Sequence, residues 1–146
     1  MIIRKADPQT EAGIKPSEAM LRDMLPYNAA MATAGVLRSG DGLQPTAKGA
    51  RITFSKGKPK VVDGPFAEAK ELIAGFTMME VASREEALEW VKRWPTSDGN
   101  GNVGLELRQV YEIDELGEAV TPELKAQEAR LRAEGVARQQ QAPTKS

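Results

Sequence analysis

The side chains best suited to acid, base or binding chemistry follow a tight turn near the middle of the chain. Asp63-Gly64-Pro65-Phe66 is a turn sequence, because Gly and Pro interrupt regular structure. Glu68 and Glu71 follow it. An Asp before Gly-Pro can accept two or three backbone hydrogen bonds, and such a carboxylate would be a poor base. Turn formation is therefore the simpler interpretation of Asp63, and ligand binding is the alternative.

The ligand-binding hypothesis extends to residues on neighbouring predicted elements. Arg51 and Arg108 lie on predicted strands and could form the second wall of a crease that accepts a small polar or anionic molecule. Tyr27 could add a hydroxyl group, although a tyrosine packed in the core is the more common case. No catalytic residue is assigned. The predicted ligand-binding residues are Asp63, Glu68, Glu71, Arg51, Arg108 and Tyr27.

The chain contains no Cys and no His. Disulfides, thiolate nucleophiles, Ser-His-Asp triads and the usual zinc or haem ligands are therefore excluded for this polypeptide alone. Any acid or base must be Asp, Glu, Tyr or Lys. The sequence also shows no calcium loop of the required spacing. We accordingly predict neither a metal site nor a cofactor.

Length and charge exclude further classes of protein. A chain of 146 residues is the size of one domain with a tail. Its formal charge is −1 and its pI is about 5.7, which gives no electrostatic reason to expect nucleic acid binding. No apolar run reaches the length of about 18 residues that a membrane helix needs, and no signal peptide is recognised. These features predict a cytoplasmic protein.

Two helices are recognisable from capping residues and periodicity. The first begins at the N-cap Ser17 and ends at Gly35, with a kink or restart expected at Pro26. The second begins at the N-cap Ser83 and ends at Pro95. Apolar residues recur every three or four positions in the first helix, which predicts one buried side. These residues are Met20, Met24, Tyr27, Met31 and Ala34.

The remaining patterns predict strands, loops and a C-terminal helix. Residues 7–15 are polar and are predicted to form a loop, and 67–72 could form about two helical turns. A helix is expected after the N-cap Thr121, with too few apolar residues to fold alone, so we expect it to lie across another surface. Disorder is expected over 139–146. The predicted strands span 1–5, 36–43, 50–55, 60–62, 76–81 and 105–113.

This order of elements indicates an α+β fold with an antiparallel sheet and helices on one face. The run 62–76, VDGPFAEAKELIAGF, together with 35–37, 40–43 and 84–87, closely resembles the DGPF proteins of the YCII-related family. The resemblance covers residues 1–113, and the tail is similar to an extension found in some members. It implies a ferredoxin-like subunit that pairs back to back into a dimeric α+β barrel, with a cleft between sheet and hairpin.

The resemblance implies no established reaction. Shorter relatives carry a His and Asp pair proposed as catalytic, and that mechanism does not transfer to a chain without His. The favoured prediction is a homodimer that binds a small molecule beside the DGPF turn. A cofactor-free enzyme using carboxylates is one alternative, and an accessory protein associated with an alternative sigma factor is another. We predict a YCII-related domain over 1–117 and a helical extension over 118–146.

Overall fold

The structure is a computed structural model that describes residues 1–67 and 71–141, with side chains described up to residue 138. It divides into two compact units, Met1–Gln109 and the segment from Val110 onward. The predicted division into 1–117 and 118–146 stays a prediction. Among the described helices, none has both the length and the apolar character needed to cross a bilayer.

The first unit contains six described strands. They are β1 (Ile2–Lys5), β2 (Leu37–Gly42), β3 (Ala50–Ser55), β4 (Lys58–Asp63), β5 (Ile73–Met79) and β6 (Leu105–Leu107). Four of them form an antiparallel sheet in the order β2-β5-β1-β6, and β3 and β4 form a separate antiparallel hairpin. Together with the helices described below, these strands confirm the predicted α+β fold.

Register assigns the side chains of this sheet to two faces, because directly opposed residues share a face. Ile2 lies opposite Thr77 and Leu107, and Ile2 is fully buried. Alternation along β5 puts Met79 on the same face as Thr77, and Met79 packs against the hydrophobic core. The opposite face carries Ile3 and Phe76, which pair with each other.

Helix α2 (Glu18–Thr33) packs on β2. On its predicted buried side Tyr27 and Met31 are buried, whereas Ala34 is exposed. The Ser17 hydroxyl accepts a hydrogen bond from the Met20 amide at 3.1 Å. Gly35 has a φ of 72°, and the amides of Gly35 and Val36 donate to the carbonyls of Ala32 and Met31 at 2.9 and 3.0 Å. This is the Schellman arrangement, which favours glycine. The helix passes through Pro26 without a restart.

Helix α3 (Arg84–Lys92) packs on β6 and completes the core. Ser83 is its N-cap, as predicted. Tyr27 packs edge-on against Trp90 and Trp94, with ring centroids 6.5 and 5.6 Å away. The apolar residues that recur along α2 and α3 therefore pack together in one core. Its buried members are Tyr27, Met31, Val36 and Trp90.

Several local predictions were wrong. Residues 7–15 are not all loop, because Asp7 caps a one-turn helix α1 (Pro8–Glu11) by accepting from the amides of Gln9 and Thr10. Proline at the first helical position also favours that turn. Strand β6 ends at Leu107, well before residue 113. The predicted helix over 67–72 falls mainly on residues 68–70, outside the described residues.

The second unit contains a 3-10 segment (Ile113–Ala119) and α4 (Pro122–Gln141). Lys125 forms an ion pair with Asp114 at 2.5 Å. The apolar side chains of α4, which are Leu124, Leu131 and Val136, are exposed in the single chain. Packing of this helix across another surface stays a prediction. The helix continues to Gln141, so the disorder expected from residue 139 is wrong for 139–141. The rest of that prediction falls outside the described residues.

Candidate functional site

A cavity of about 460 Å³ lies in the first unit between the N-terminal half of α2, the main sheet and the loop after α3. We call it the Arg4 cavity. Its polar residues include Arg4, Asp7 and Asp98, and Asn28 and Asp41 also border it. The apolar side chains on its wall are Ile14, Met20, Met24, Leu37 and Trp94.

Arg4 is the centre of the polar part of the cavity. Its Nε and Nη2 donate to the two carboxylate oxygens of Asp98 at 3.2 and 2.7 Å. Its Nη2 also lies 2.8 Å from Oδ2 of Asp7, and Nη1 donates to the Lys5 carbonyl at 2.8 Å. Paired, bidentate contacts of this kind fix both the charge and the orientation of a guanidinium group.

Three separate elements bring these charges together. Arg4 is on β1, on the same face as the fully buried Ile2. Asp98 begins a short 3-10 segment after α3 and is 3% exposed. Trp94 Nε1 donates to Oδ2 of Asp98 at 3.0 Å. Buried carboxylates need such partners, since an unpaired buried charge is costly.

The pKa shifts of Asp7 and Arg4 keep these two side chains ionised at neutral pH. Burial alone would raise the pKa of Asp7, but hydrogen bonds from the Thr10 amide and the Arg4 guanidinium lower it below its usual value. Burial works against the charge of Arg4, yet Asp98 and Asp7 raise the pKa of Arg4 above its ordinary value. Asp7 and Arg4 therefore offer fixed charges rather than a proton at neutral pH.

The charge and hydrogen-bonding capacity of the lining restrict what the cavity can hold. Arg4 and Lys15 are balanced by Asp7 and Asp98, since Asp41 lies opposite Phe76 and so belongs to the other face of the sheet. The lining therefore carries no net positive charge. An anion gains little from such a lining. A neutral or cationic polar group attached to an apolar body matches it better.

A buried hydroxyl without a partner also borders the Arg4 cavity. Among the described side chains, Ser97 Oγ is the buried polar atom that makes no hydrogen bond, and Ser97 contributes to the cavity lining. A buried polar group normally has a partner. Bound water or a ligand group at this end of the cavity is one way to supply it.

A second, more open recess of about 410 Å³ lies beside the Asp63–Phe66 turn, and we call it the corner groove. Arg51 stacks over the Phe66 ring with its guanidinium carbon 4.4 Å from the ring centroid. The Thr46 hydroxyl accepts from the Phe66 amide at 3.1 Å and donates to Glu11 at 2.6 Å. These contacts hold the turn against the segment around Thr46.

The structure does not bring the six predicted ligand-binding residues into one site. Arg51 and Glu71 border the corner groove, whereas Asp63 is exposed at the end of β4. Arg108 is exposed and pairs with Glu106 at 3.0 Å. Tyr27 is in the core and its hydroxyl donates to the Trp90 carbonyl at 3.0 Å. Glu68 lies outside the described residues. Ligand binding by this set stays a prediction.

Sequence reasoning missed Arg4, Asp7 and Asp98. One signal was present, because Arg4 follows Ile2 at a spacing of two and must share its face in a strand. A cation on a buried face requires an acidic partner. Nothing in the local sequence, however, indicates that the partner would come from position 98.

The first unit can now be compared with known proteins. A model of the YCII-related domain matches residues 1–114, most of the chain. The chain belongs to the YCII-related family. The Arg4 cavity and the corner groove both lie in the matched YCII-related domain.

A relative in Rhizobium meliloti (strain 1021) is 36% identical over 87 residues. The matched stretch covers 60% of this chain and 68% of the relative, which is described as an uncharacterised protein. The relative supports membership of the YCII-related family and assigns no reaction to it.

Proposed function

We propose that this YCII-related protein binds a small molecule in the Arg4 cavity and acts as a homodimer. The observation that carries the proposal is the cavity itself, in which a fixed polar cluster faces apolar side chains of α2 and the sheet. Sites for small molecules are typically concave, mostly apolar and provided with a few oriented polar groups. The corner groove is the less favourable place because it is more open to solvent.

The ligand class follows from the lining. Met20, Met24 and Trp94 accept an apolar body. Asp98 and Asp7 are already paired with Arg4 but keep acceptor capacity, because a carboxylate has about four lone-pair positions. The ligand is therefore a small molecule with an apolar body and a neutral or cationic hydrogen-bond donor.

The geometry favours binding over carboxylate catalysis. A general base works best with a pKa near the working pH, whereas hydrogen bonds and the Arg4 charge lower the pKa of Asp7. Asp98 is held by both Arg4 and Trp94. The carboxylates of Asp7 and Asp98 therefore orient a ligand rather than act as bases. The association with an alternative sigma factor stays a prediction.

Apolar side chains on the face of the main sheet opposite Ile2 support the homodimer. Ile3 and Phe76 pair on that face, and alternation along β5 adds Met78. All three are partly exposed in the single chain. A second copy covering this face would remove them from water, as the resemblance to dimeric α+β barrels implies.

Ligand-observed NMR with a library of small amines, alcohols, amides and carboxylates tests the binding proposal. We expect hits rich in amines and neutral donors. Met24→Trp fills part of the cavity and should abolish the binding of these compounds. Leu25→Trp is the matched control, since Leu25 is the next residue of α2 and is 69% exposed.

Two results would contradict the proposal. One is a library with no binder. The other is a set of binders that persist in Met24→Trp at wild-type affinity, with circular dichroism showing that the variant is folded. Met20→Trp provides a second filled cavity if Met24→Trp does not fold.

A further inference from the structure

The β3–β4 hairpin projects apolar side chains into solvent. All residues of both strands are exposed. Ile52 is 52% exposed, Phe54 72% and Val61 62%. Large apolar side chains scattered singly on a surface are ordinary, but a contiguous group of them marks an interaction site.

Register places these three side chains on one face. Ile52 lies opposite Val61 and Phe54 lies opposite Pro59, and directly opposed residues share a face. Ala50 and Asp63 pair at the base of the hairpin on the same side. We call this the apolar hairpin face, and its members are Ala50, Ile52, Phe54, Pro59, Val61 and Asp63.

The other face of the hairpin has a different chemistry. Arg51 lies opposite Val62, Thr53 opposite Lys60 and Ser55 opposite Lys58. We call this the basic hairpin face, and its charged residues are all cationic. The two faces therefore differ sharply in what they can contact.

A two-stranded hairpin of this kind needs support. An isolated one is at best marginally stable in water. At the base of this hairpin, the Gly64 amide donates to the Gly49 carbonyl at 3.0 Å and Arg51 stacks over Phe66. These contacts hold the base and leave Phe54, near the tip, in solvent.

We infer that the apolar hairpin face packs on a second copy of this chain. The homodimer of the proposed function supplies the occupant, and charge decides which face of the hairpin meets it. Apart from Asp63 at its base, the apolar hairpin face is uncharged, so two copies can approach without repulsion. Two basic hairpin faces would repel each other through Arg51, Lys58 and Lys60. In a symmetric dimer, the same patch on each copy must tolerate its own charge.

The size of the patch sets its share of the interface. Six residues per strand give a length of about 20 Å and two strands a width of about 10 Å, so the face covers on the order of 200 Å². A stable interface buries roughly 800 Å² on each partner. The hairpin is therefore one part of a larger contact. The inference rests on the homodimer of the proposed function, in which the main sheet supplies the rest.

Sedimentation equilibrium over a range of protein concentrations tests the inference. Phe54→Glu should raise the dimer dissociation constant by about tenfold or more, because it buries a carboxylate in an apolar contact. Ile52→Glu should do the same. Thr53→Glu is the matched control, because Thr53 lies between Ile52 and Phe54 in the chain but on the basic hairpin face. The dimer dissociation constant of this variant should stay within about threefold of wild type.

The possible outcomes separate the inference from the homodimer. If the wild type is a dimer and neither Phe54→Glu nor Ile52→Glu weakens it relative to Thr53→Glu, the hairpin does not contact the second copy, and the homodimer stands. If the wild type is a monomer at every concentration, the homodimer and the inference about the hairpin are both wrong. The substituted side chains are exposed in the single chain, so loss of folding should not obscure the result.

Discussion

Arg4 is the residue on which the polar interior of the first unit depends. It neutralises Asp98, which is 3% exposed, and it also contacts Asp7 and the Lys5 carbonyl. Removing Arg4 would leave the Asp98 carboxylate buried, with the Trp94 indole as the remaining donor among the described side chains. The energetic cost of losing one partner of a buried pair exceeds what the pair contributed when formed, because the other charge stays desolvated.

We predict that Arg4→Met lowers the free energy of unfolding by about 3–5 kcal/mol at neutral pH, because it leaves Asp98 buried and unpaired. Urea denaturation followed by circular dichroism measures this loss. Arg38→Met is the matched control. Arg38 pairs with Glu80 on the surface, where the two side chains are 55% and 73% exposed, and its loss should cost about 1 kcal/mol or less. Equal losses in both variants would show that the Arg4 pairs behave like solvated ones.

At the scale of elements, the Asp63–Phe66 turn is held by close backbone packing. A side chain at Gly64 would place its Cβ 1.8 Å from the Thr46 carbonyl oxygen, a distance that the backbone cannot accommodate without moving. The Gly64 amide also donates to the Gly49 carbonyl. The turn thus joins β4 to the segment around Thr46, which supports the structural interpretation of this sequence. Ligand binding at the turn stays a prediction.

We predict that Gly64→Ala lowers the melting temperature by about 8 °C or more, equivalent to about 2 kcal/mol for a chain of this size. The cause is displacement of the Thr46 backbone by the added Cβ. Gly42→Ala is the control, because nothing lies within 4 Å of its Cβ position. Differential scanning calorimetry compares the two. A Gly64→Ala protein as stable as Gly42→Ala would mean that the two segments are not in close contact.

At the scale of the whole molecule, the elements that define the fold are contained in the first unit. The main sheet, the core around Tyr27 and Met31 and the Arg4 cavity all lie within Met1–Gln109. The YCII-related match covers the same region and ends at residue 114. The apolar side chains of α4 in the second unit are mainly solvent-exposed.

We predict that a protein ending at Gln109 folds without the second unit. It should show cooperative thermal unfolding and the near-ultraviolet circular dichroism of the full chain, because Trp90 and Trp94 pack against Tyr27 within the first unit. The full-length protein is the control. A fragment with far-ultraviolet signal but no fixed aromatic signal would show that the second unit is needed for core packing.

Local patterns in the sequence determined the elements that depend on neighbouring residues. The cap at Ser17, the glycine at position 35 and the apolar spacing in α2 act over one or two helical turns, and the structure confirms them. The succession of strands and helices along the chain followed from local patterns, and the family followed from the resemblance carried by the run 62–76. The order of the strands in the sheet was not predicted. Strand β6 was overestimated because alternation can continue past the last paired residue.

Only the tertiary structure decided which charges meet. Arg4 and Asp98 are far apart in the sequence, and their pairing depends on how β1 and the loop after α3 come together around the core. The same limit explains the six residues predicted to bind a ligand. Sequence identified their chemical types, but long-range packing put Tyr27 in the core, Arg108 beside Glu106 and Arg51 over Phe66. Short-range patterns determine elements, whereas a site requires contacts between elements distant in the chain.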